Sequence, residues 1–169
     1  MFRTKDFILM DVINIKGKKI GFINDIIVDF KSGEVKGFVI SSYKLFQKTL
    51  SVLKEDIVSF NKAMVVGKCR KNKFFTFSNI KNMDIINRYG EIIGMTEDIL
   101  FQEFNFKIQA LVVSTGFIKN LFIGKKILLV NSIIIGEQSI LYYSNKANID
   151  FISVAHKLFE EDKCYEKSI

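Results

Sequence analysis

A short set of glycine and aspartate residues occurs twice in the 169-residue chain and is its best candidate for chemistry. Glycine-rich turns can cradle a phosphate with backbone N–H groups, and two adjacent carboxylates can act as an acid–base pair. However, each glycine set leads into a run typical of a β-strand, without the helix N-terminus that a phosphate loop requires. We therefore interpret the glycines as turn and bulge residues and the aspartates as acceptors of backbone N–H groups at turns. The repeated residues are Gly17, Gly21 and Asp25 in the first half, and Gly90, Gly94 and Asp98 in the second half.

The residue types most often used in catalysis are too few to form a recognisable centre. His156 is the single histidine, and the two cysteines are Cys69 and Cys164. A nucleophilic cysteine needs a base in contact and a third group that orients the base, and zinc takes about four ligands. The spacing of these three positions fits neither requirement, so we expect no enzymatic activity, no metal site and no cofactor.

The elements that carry the glycine and aspartate motif are repeated over most of the chain. Residues 10–41 and 83–114 align without a gap at an offset of 73, with 11 identities in 32 positions. A repeat of this length indicates two copies of a small domain. We expect copy one to span residues 1–72, with a basic linker at 68–73, and copy two to span residues 73–147.

Each copy has the sequence pattern of a small all-β domain. Gly17 and Gly33 mark turns between runs rich in isoleucine and valine, which favours antiparallel strands joined by hairpins. Copy two lacks the second of these glycines, so we expect its hairpin turn to differ. Five or six short strands per copy, with closely spaced turns, predict two small antiparallel barrels, because closing a sheet removes its exposed edges.

The C-terminal residues 148–169 change to the period of an amphipathic α-helix. Asp150 is suited to cap the first turn of this helix. A helix this short is unstable alone, so we expect its apolar face to cover a barrel end or a groove, or, as the second alternative, to pair with another subunit. Its apolar positions are Phe151, Val154, Ala155, Leu158 and Phe159.

The repeated element resembles the PRC-barrel family. The shared pattern is a polar residue, a glycine, a second glycine after an apolar residue, an Asp–Ile pair and then an apolar strand. It runs from residue 14 to residue 41 and again from residue 87 to residue 114. The resemblance covers roughly residues 1–67 and 74–143, and the chain looks like the tandem PRC-barrel proteins of bacteria. It implies a six-stranded, barrel-like interaction module and carries over no catalytic residue.

Positive charge is concentrated in the first half of the chain. Residues 1–80 contain 15 Lys and Arg against 7 Asp and Glu, a net of +8, whereas residues 81–169 contain 10 against 11, a net of −1. A basic face can bind RNA, but a solvated lysine surface is the more common explanation. The chain has no run of 18 apolar residues and no signal-peptide core, and its two cysteines are typical of a reducing compartment. We therefore expect a cytoplasmic protein.

We expect the protein to act by binding, with another protein as the first candidate partner. Aromatic segments occur at corresponding positions of the two copies and would form contact patches if exposed. The alternative is that they pack between the copies. The second candidate function is an RNA- or ribosome-associated factor that uses the basic copy one; a membrane surface ranks third, and a homo-oligomer is compatible with the sequence. The predicted contact residues are Tyr43, Phe46, Phe117, Leu121 and Phe122.

Overall fold

The two repeats form two β-sheets in the computed structural model of the chain, which describes residues 1–43, 48–116 and 124–144. This part of the chain contains four 3₁₀ turns and no α-helix. Both sheets have the same strand order, and most neighbouring strands are antiparallel. The expectation of a β-rich fold made of two related halves is therefore confirmed.

The strands follow one another in the same way in both repeats. The strands of the first repeat are β1 (Phe2–Arg3), β2 (Asp11–Asn14), β3 (Lys19–Asp29), β4 (Glu34–Ser41), β5 (Leu50–Leu53), β6 (Ile57–Phe60) and β7 (Ala63–Val66). Those of the second repeat are β8 (Asp84–Asn87), β9 (Ile92–Phe101), β10 (Ile108–Ser114), β11 (Lys126–Leu129), β12 (Ile133–Ile135) and β13 (Ser139–Tyr142). The sheet orders are β5-β4-β3-β2-β7-β6 and β11-β10-β9-β8-β13-β12.

Both sheets are open, whereas the sequence predicted closed antiparallel barrels. The outer strands β5 and β6 do not pair with each other, and neither do β11 and β12. In each repeat a 3₁₀ turn, Lys54–Asp56 or Val130–Ser132, separates these outer strands. The last strand then pairs in parallel with an earlier one, β7 with β2 and β13 with β8. A hairpin would have left β5 and β6 as antiparallel neighbours, so the 3₁₀ turn explains why the prediction was wrong.

Gly21 and Gly94 allow two strands to approach closely. A Cβ atom at Gly21 would lie only 2.1 Å from the carbonyl oxygen of Ser41, and one at Gly94 would lie 2.5 Å from Cγ1 of Val113. The pairing of β2 with β3, and of β8 with β9, shifts register beside these glycines. Each glycine therefore marks a bulge at which a long strand passes close to its neighbour.

Each repeat places its leading segment on the long strand of the other repeat. β1 pairs antiparallel with β9, with Phe2 opposite Phe101. In return, the N–H group of Val28 in β3 donates to the carbonyl oxygen of Phe75 at 3.1 Å, and Thr76 forms a bridge with Ile27. Because Phe2 and Phe75 are equivalent at the 73-residue offset, the two contacts are reciprocal, and each sheet takes part of its contacts from the other repeat.

The hairpin tips of the two repeats also pair with each other. The N–H of Val35 donates to the carbonyl of Phe106 at 2.9 Å, and the N–H of Ile108 donates to the carbonyl of Gly33 at 2.8 Å. Gly33 has φ +65° and Phe106 has φ +59°. Phenylalanine therefore adopts the left-handed conformation that glycine adopts in the other repeat, at a cost of roughly 1–2 kcal/mol. The sequence predicted that the two hairpin turns differ. At this position the backbone φ values are similar, and the two turns differ in having glycine or phenylalanine.

The buried side chains form one continuous cluster that crosses both repeats. Phe7 from the first repeat and Phe101 from the second are almost fully buried, and their rings stack with centroids 5.7 Å apart. A domain of about 70 residues is only marginally stable alone, so the shared core stabilises both repeats. The residue limits of the copies and the linker stay a prediction. The predicted helix within residues 148–169 lies outside the described residues.

Candidate functional site

The first glycine of each motif lies in a tight turn whose N–H groups are already bonded. Gly17 and Gly90 have φ values of +76° and +81°. In the first turn the side-chain oxygen of Asn14 accepts two backbone N–H groups, both at 3.0 Å. Asn87 accepts two in the second turn, at 2.9 and 3.0 Å. Because an asparagine oxygen takes the place that an anion would occupy, these turns do not form a phosphate cradle.

Asp98 ties the N-terminal segment to the second repeat. Its side chain is buried, and Oδ1 accepts both the N–H of Thr4 at 3.0 Å and the hydroxyl of the same residue. Its Oδ2 pairs with Nε of Arg3 at 3.0 Å. Oδ1 also accepts the N–H of Ile99 within its own strand. The carboxylate therefore holds the 3₁₀ turn Thr4–Asp6 against β9.

Asp25, the equivalent residue of the first repeat, makes weaker bonds to the 3₁₀ turn Phe77–Asn79. The N–H of Ser78 lies 3.3 and 3.4 Å from its two carboxylate oxygens. The position equivalent to Arg3 is the uncharged Thr76. The two aspartates thus bind two separate turns and are engaged as joints between repeats. The sequence indicated acceptors of backbone N–H groups at turns, but not that each turn belongs to the other repeat. The only signal was an aspartate kept in the same place of two otherwise apolar strands.

Tyr43 is the one predicted contact residue within the described part of the chain. Its ring is 56% exposed and contacts Phe22, and its hydroxyl donates to the carboxylate of Asp11. Asp11 also pairs with Lys19, and the hydrogen bonds from Lys19 and then Tyr43 lower the pKa of Asp11. The same bonds to Asp11 raise the pKa of Lys19 and that of Tyr43. The other predicted contact residues, Phe46, Phe117, Leu121 and Phe122, lie outside the described residues.

The contact of β1 with β9 is surrounded by phenylalanine rings, and we call it the aromatic junction. Neighbouring ring centroids lie between 4.8 and 6.2 Å apart. A notch of about 390 Å³ beside the rings also has Asp6 and Glu103 in its lining. This junction is therefore packed with apolar rings inside and bordered by acidic groups outside. Its rings are those of Phe2, Phe7, Phe38, Phe60, Phe101 and Phe106.

The equivalent contact of Phe75 and Thr76 with β3 is incompletely filled, and we call it the open junction. A cavity of about 550 Å³ opens beside it. Phe75 is 47% exposed and Ile134 is 55% exposed, although both are large apolar residues. We call this cavity the apolar groove; its lining is Val28, Phe30, Phe75, Val130 and Ile133–Ile135, together with Asp29 and Lys31.

Smaller side chains stand beside the apolar groove at positions that carry rings in the aromatic junction. Gly33 stands where the second repeat has Phe106, and Val28 stands where it has Phe101. In the aromatic junction these two rings stack with centroids 5.9 Å apart. The open junction keeps one of the six rings, as Phe75, and the other five positions are occupied by Val28, Gly33, Ile80, Leu111 and Ile135. Sequence reasoning missed the groove because it is visible only when equivalent positions are compared in space.

Metal-ligating side chains and the free thiol are the remaining candidates for chemistry among the described residues. None of their His, Cys, Asp and Glu side chains form a group of three that could hold a metal ion. Cys69 is a free thiol packed against the core, and burial raises its pKa, which disfavours the reactive thiolate. In the same ranges of the chain, no helix has the length and apolar character needed to cross a membrane.

Two related β-sheets in tandem agree with one known domain family. The family model of the PRC-barrel domain matches residues 1–68 and again residues 72–147. The chain therefore belongs to the PRC-barrel family and contains two copies of the domain, as the repeated motif predicted. No curated protein sequence matches the chain. The PRC-barrel domain alone does not indicate a function.

Proposed function

We propose that the chain is a non-enzymatic, cytoplasmic protein-binding module that takes an apolar segment of a partner protein into the apolar groove. The observation that supports this proposal is the exposure of Phe75 and Ile134 beside the partly buried Phe30, Ile133 and Ile135. A concave, contiguous apolar surface of this kind is characteristic of binding sites in soluble proteins. The free thiol of Cys69 accords with the reducing compartment that the proposal assumes.

Association with RNA or the ribosome is the weaker candidate function. The net charge of +8 over residues 1–80 favours it. However, several cations of this region already pair with carboxylates, Lys36 and Lys54 with Glu34, and Arg70 with Asp56. Each such pair reduces the positive charge available to phosphate groups. The apolar groove, with a single lysine in its lining, is better suited to an apolar partner.

Affinity purification of the full chain from its native host tests the proposal. We expect a set of proteins that the wild-type chain retains and that the Phe75→Asp and Ile134→Lys variants lose. Phe104→Asp is the matched control, because Phe104 is 98% exposed and lies outside the groove lining. Thermal unfolding followed by circular dichroism checks that all three variants are folded.

The same eluates discriminate between the two candidate functions. RNA that is retained by all variants, and released steeply as salt increases, would support nucleic-acid binding instead. Protein retention that is identical for the wild type, both groove variants and the Phe104→Asp control would contradict the groove as the binding surface.

A further inference from the structure

Strand β12 directs free backbone groups toward solvent beside the apolar groove. It is the last strand of its sheet, and opposing residues of an antiparallel pair alternate between bonded and non-bonded positions. The N–H of Tyr143 donates to the carbonyl of Ser132 at 3.0 Å, which makes Ile134 the next residue bonded to β13. The N–H and C=O groups of Ile133 and Ile135 therefore face away from the sheet.

Most of these outward groups have no partner in the described part of the chain. The N–H of Ile133 donates to the carbonyl of Val130 in the preceding 3₁₀ turn. The N–H and C=O groups of Ile135 have no backbone partner among the described residues. An outer strand is usually protected by a lysine, a proline or a bulge. β12 consists of three isoleucines in regular register and has none of these protections.

The equivalent strand of the first repeat, β6, is protected. Its pairing with β7 shifts register between Ile57 and Ser59, which is a bulge that interrupts the outer edge. The ring of Phe60 packs into the aromatic junction, against Phe106. The first repeat therefore has an interrupted outer edge beside the filled aromatic junction. Of β6 and β12, β12 is the one that combines a regular edge with an open groove.

The chain already contains one extended segment added to an outer strand. Ser51 in β5 and Arg70 in the connection between the repeats exchange two backbone hydrogen bonds, at 2.8 and 2.7 Å. The hydroxyl of Ser51 also donates to the carbonyl of Asn72 at 2.9 Å. The connecting segment thus forms an isolated antiparallel bridge with β5, which shows that an outer strand of this fold accepts extended backbone from another segment.

We propose that the partner segment binds in extended form as a strand added to β12, with hydrogen bonds to Ile135 and to the carbonyl of Ile133, and with alternate apolar side chains in the groove. This inference rests on the proposed function and specifies how the partner is held. Aromatic side chains are preferred, because the rings of Phe101 and Phe106 fill the equivalent space of the aromatic junction. The groove is also continuous with the contact between the repeats, through Val28 and Phe75.

A displayed library of random heptapeptides, selected on the full chain, provides the probes. We expect the recovered peptides to carry apolar residues at alternate positions, because successive side chains of a strand point to opposite faces. Each synthetic peptide is then N-methylated at one residue at a time and titrated calorimetrically. Methylation at one alternating set of positions should weaken binding about tenfold, the value of one lost hydrogen bond, and methylation at the other set should have little effect.

A variant of the chain tests the proposed hydrogen bond that the N–H of Ile135 donates to the peptide. Ile135→Pro removes the outward N–H without removing a bond to β13, and proline is tolerated at such outer positions. We expect it to weaken peptide binding about tenfold as well. Peptides that require Phe75 but tolerate N-methylation at every position would overturn the strand addition and leave the groove as the binding site.

Other outcomes bear on the groove itself. Failure to recover any peptide whose binding depends on Phe75 and Ile134 would overturn the proposed function. Preferred binding of a synthetic peptide of residues 148–164 would assign the groove to the chain's own C-terminal segment. Dimerisation of the chain that is abolished by Ile134→Lys would assign it to a second copy. Either result would contradict a partner protein as the occupant.

Discussion

The aromatic junction and the open junction contain equivalent backbone contacts and differ in the side-chain contacts that stabilise them. In both, the leading segment of one repeat lies on the long strand of the other. The aromatic junction adds the buried carboxylate of Asp98, paired with Arg3, and six phenylalanine rings. The open junction has the longer bonds of Asp25 and the apolar groove. Of two equivalent contacts, one is closed by packed rings and an ion pair, while the other leaves apolar side chains exposed in a groove.

Removal of a ring from the aromatic junction has the largest expected effect. Phe101→Ala deletes a fully buried ring, and we expect the free energy of unfolding to fall by about 4 kcal/mol. Val28→Ala is the matched change in the open junction and should cost about 2 kcal/mol, because it removes only two methyl groups beside an existing groove. Urea unfolding of the full chain, followed by circular dichroism, measures both. Equal losses would mean that the two junctions contribute alike.

Removal of the Asp98 carboxylate should lower the free energy of unfolding more than removal of the Asp25 carboxylate, although both losses are smaller than that of Phe101→Ala. Asp98→Ala leaves Arg3 and Thr4 without their buried partner and should cost about 3 kcal/mol. Asp25→Ala removes longer bonds to an uncharged turn and should cost about 1 kcal/mol. In a double-mutant cycle, Arg3→Ala should reduce the cost of Asp98→Ala and leave that of Asp25→Ala unchanged. An absence of coupling between Arg3 and Asp98 would contradict the charged pair as the cause.

Much of the fold follows from local patterns, and the candidate site does not. The spacing of Gly17 and Gly21, present in both repeats, is sufficient to predict two related β-rich units, because turns and bulges are set by backbone conformation at single residues. The open sheets could not be predicted, since the 3₁₀ turn Val130–Ser132 contains no glycine or proline to mark it. The position of β1 on β9 is decided by tertiary packing, because a two-residue strand has no local preference for a partner.

The apolar groove was beyond sequence reasoning for a related reason. Val28 lines it, and Val28 and Gly33 stand where the aromatic junction has the rings of Phe101 and Phe106. Both glycine and phenylalanine are acceptable at the hairpin tip as far as the local sequence indicates. Only the reciprocal pairing of the two tips shows that one residue fills a junction and that its equivalent leaves the other junction open.

Introduction of a phenylalanine ring at the open junction should weaken peptide binding and leave the free energy of unfolding nearly unchanged. Gly33→Phe copies the residue of the second repeat, and we expect it to weaken peptide binding at the groove about tenfold. The strain of a left-handed phenylalanine, roughly 1–2 kcal/mol, should be largely offset by burial of its ring. Gly33→Ala is the control, because it carries the strain without the ring and should destabilise the chain by about 1 kcal/mol with unchanged binding. Unchanged binding by Gly33→Phe would show that this position does not control the groove.

The charges at the hairpin tips give the smallest expected effect. The backbone of Glu34 lies opposite that of Lys107, its equivalent in the second repeat, in an antiparallel β-bridge. The hydrogen bonds from Lys54 and Lys36 lower the pKa of Glu34 from 4.5 to about 2. Because the pKa is lower in the folded chain, ionised Glu34 stabilises the fold above about pH 4.5, and this contribution is lost as the pH falls toward 2. The effect is small because Glu34 is only partly buried and its lysine partners reach solvent, which screens the ion pairs.

Melting temperatures of the wild-type chain and of Glu34→Gln at pH 6 and pH 2 isolate this contribution. We expect the wild type to be the more stable of the two at pH 6, and the difference to shrink at pH 2. Asp11, whose pKa is also lowered, owes this to Lys19 and Tyr43 in both proteins, so its titration cancels in the comparison. Asp29 shares Lys36 with Glu34 and is therefore replaced by asparagine in both proteins. A difference that is the same at both pH values would assign the effect to the shape of the glutamate side chain and not to its charge. The ion pairs of Glu34 with Lys36 and Lys54 would then have no part in stabilising the first hairpin tip.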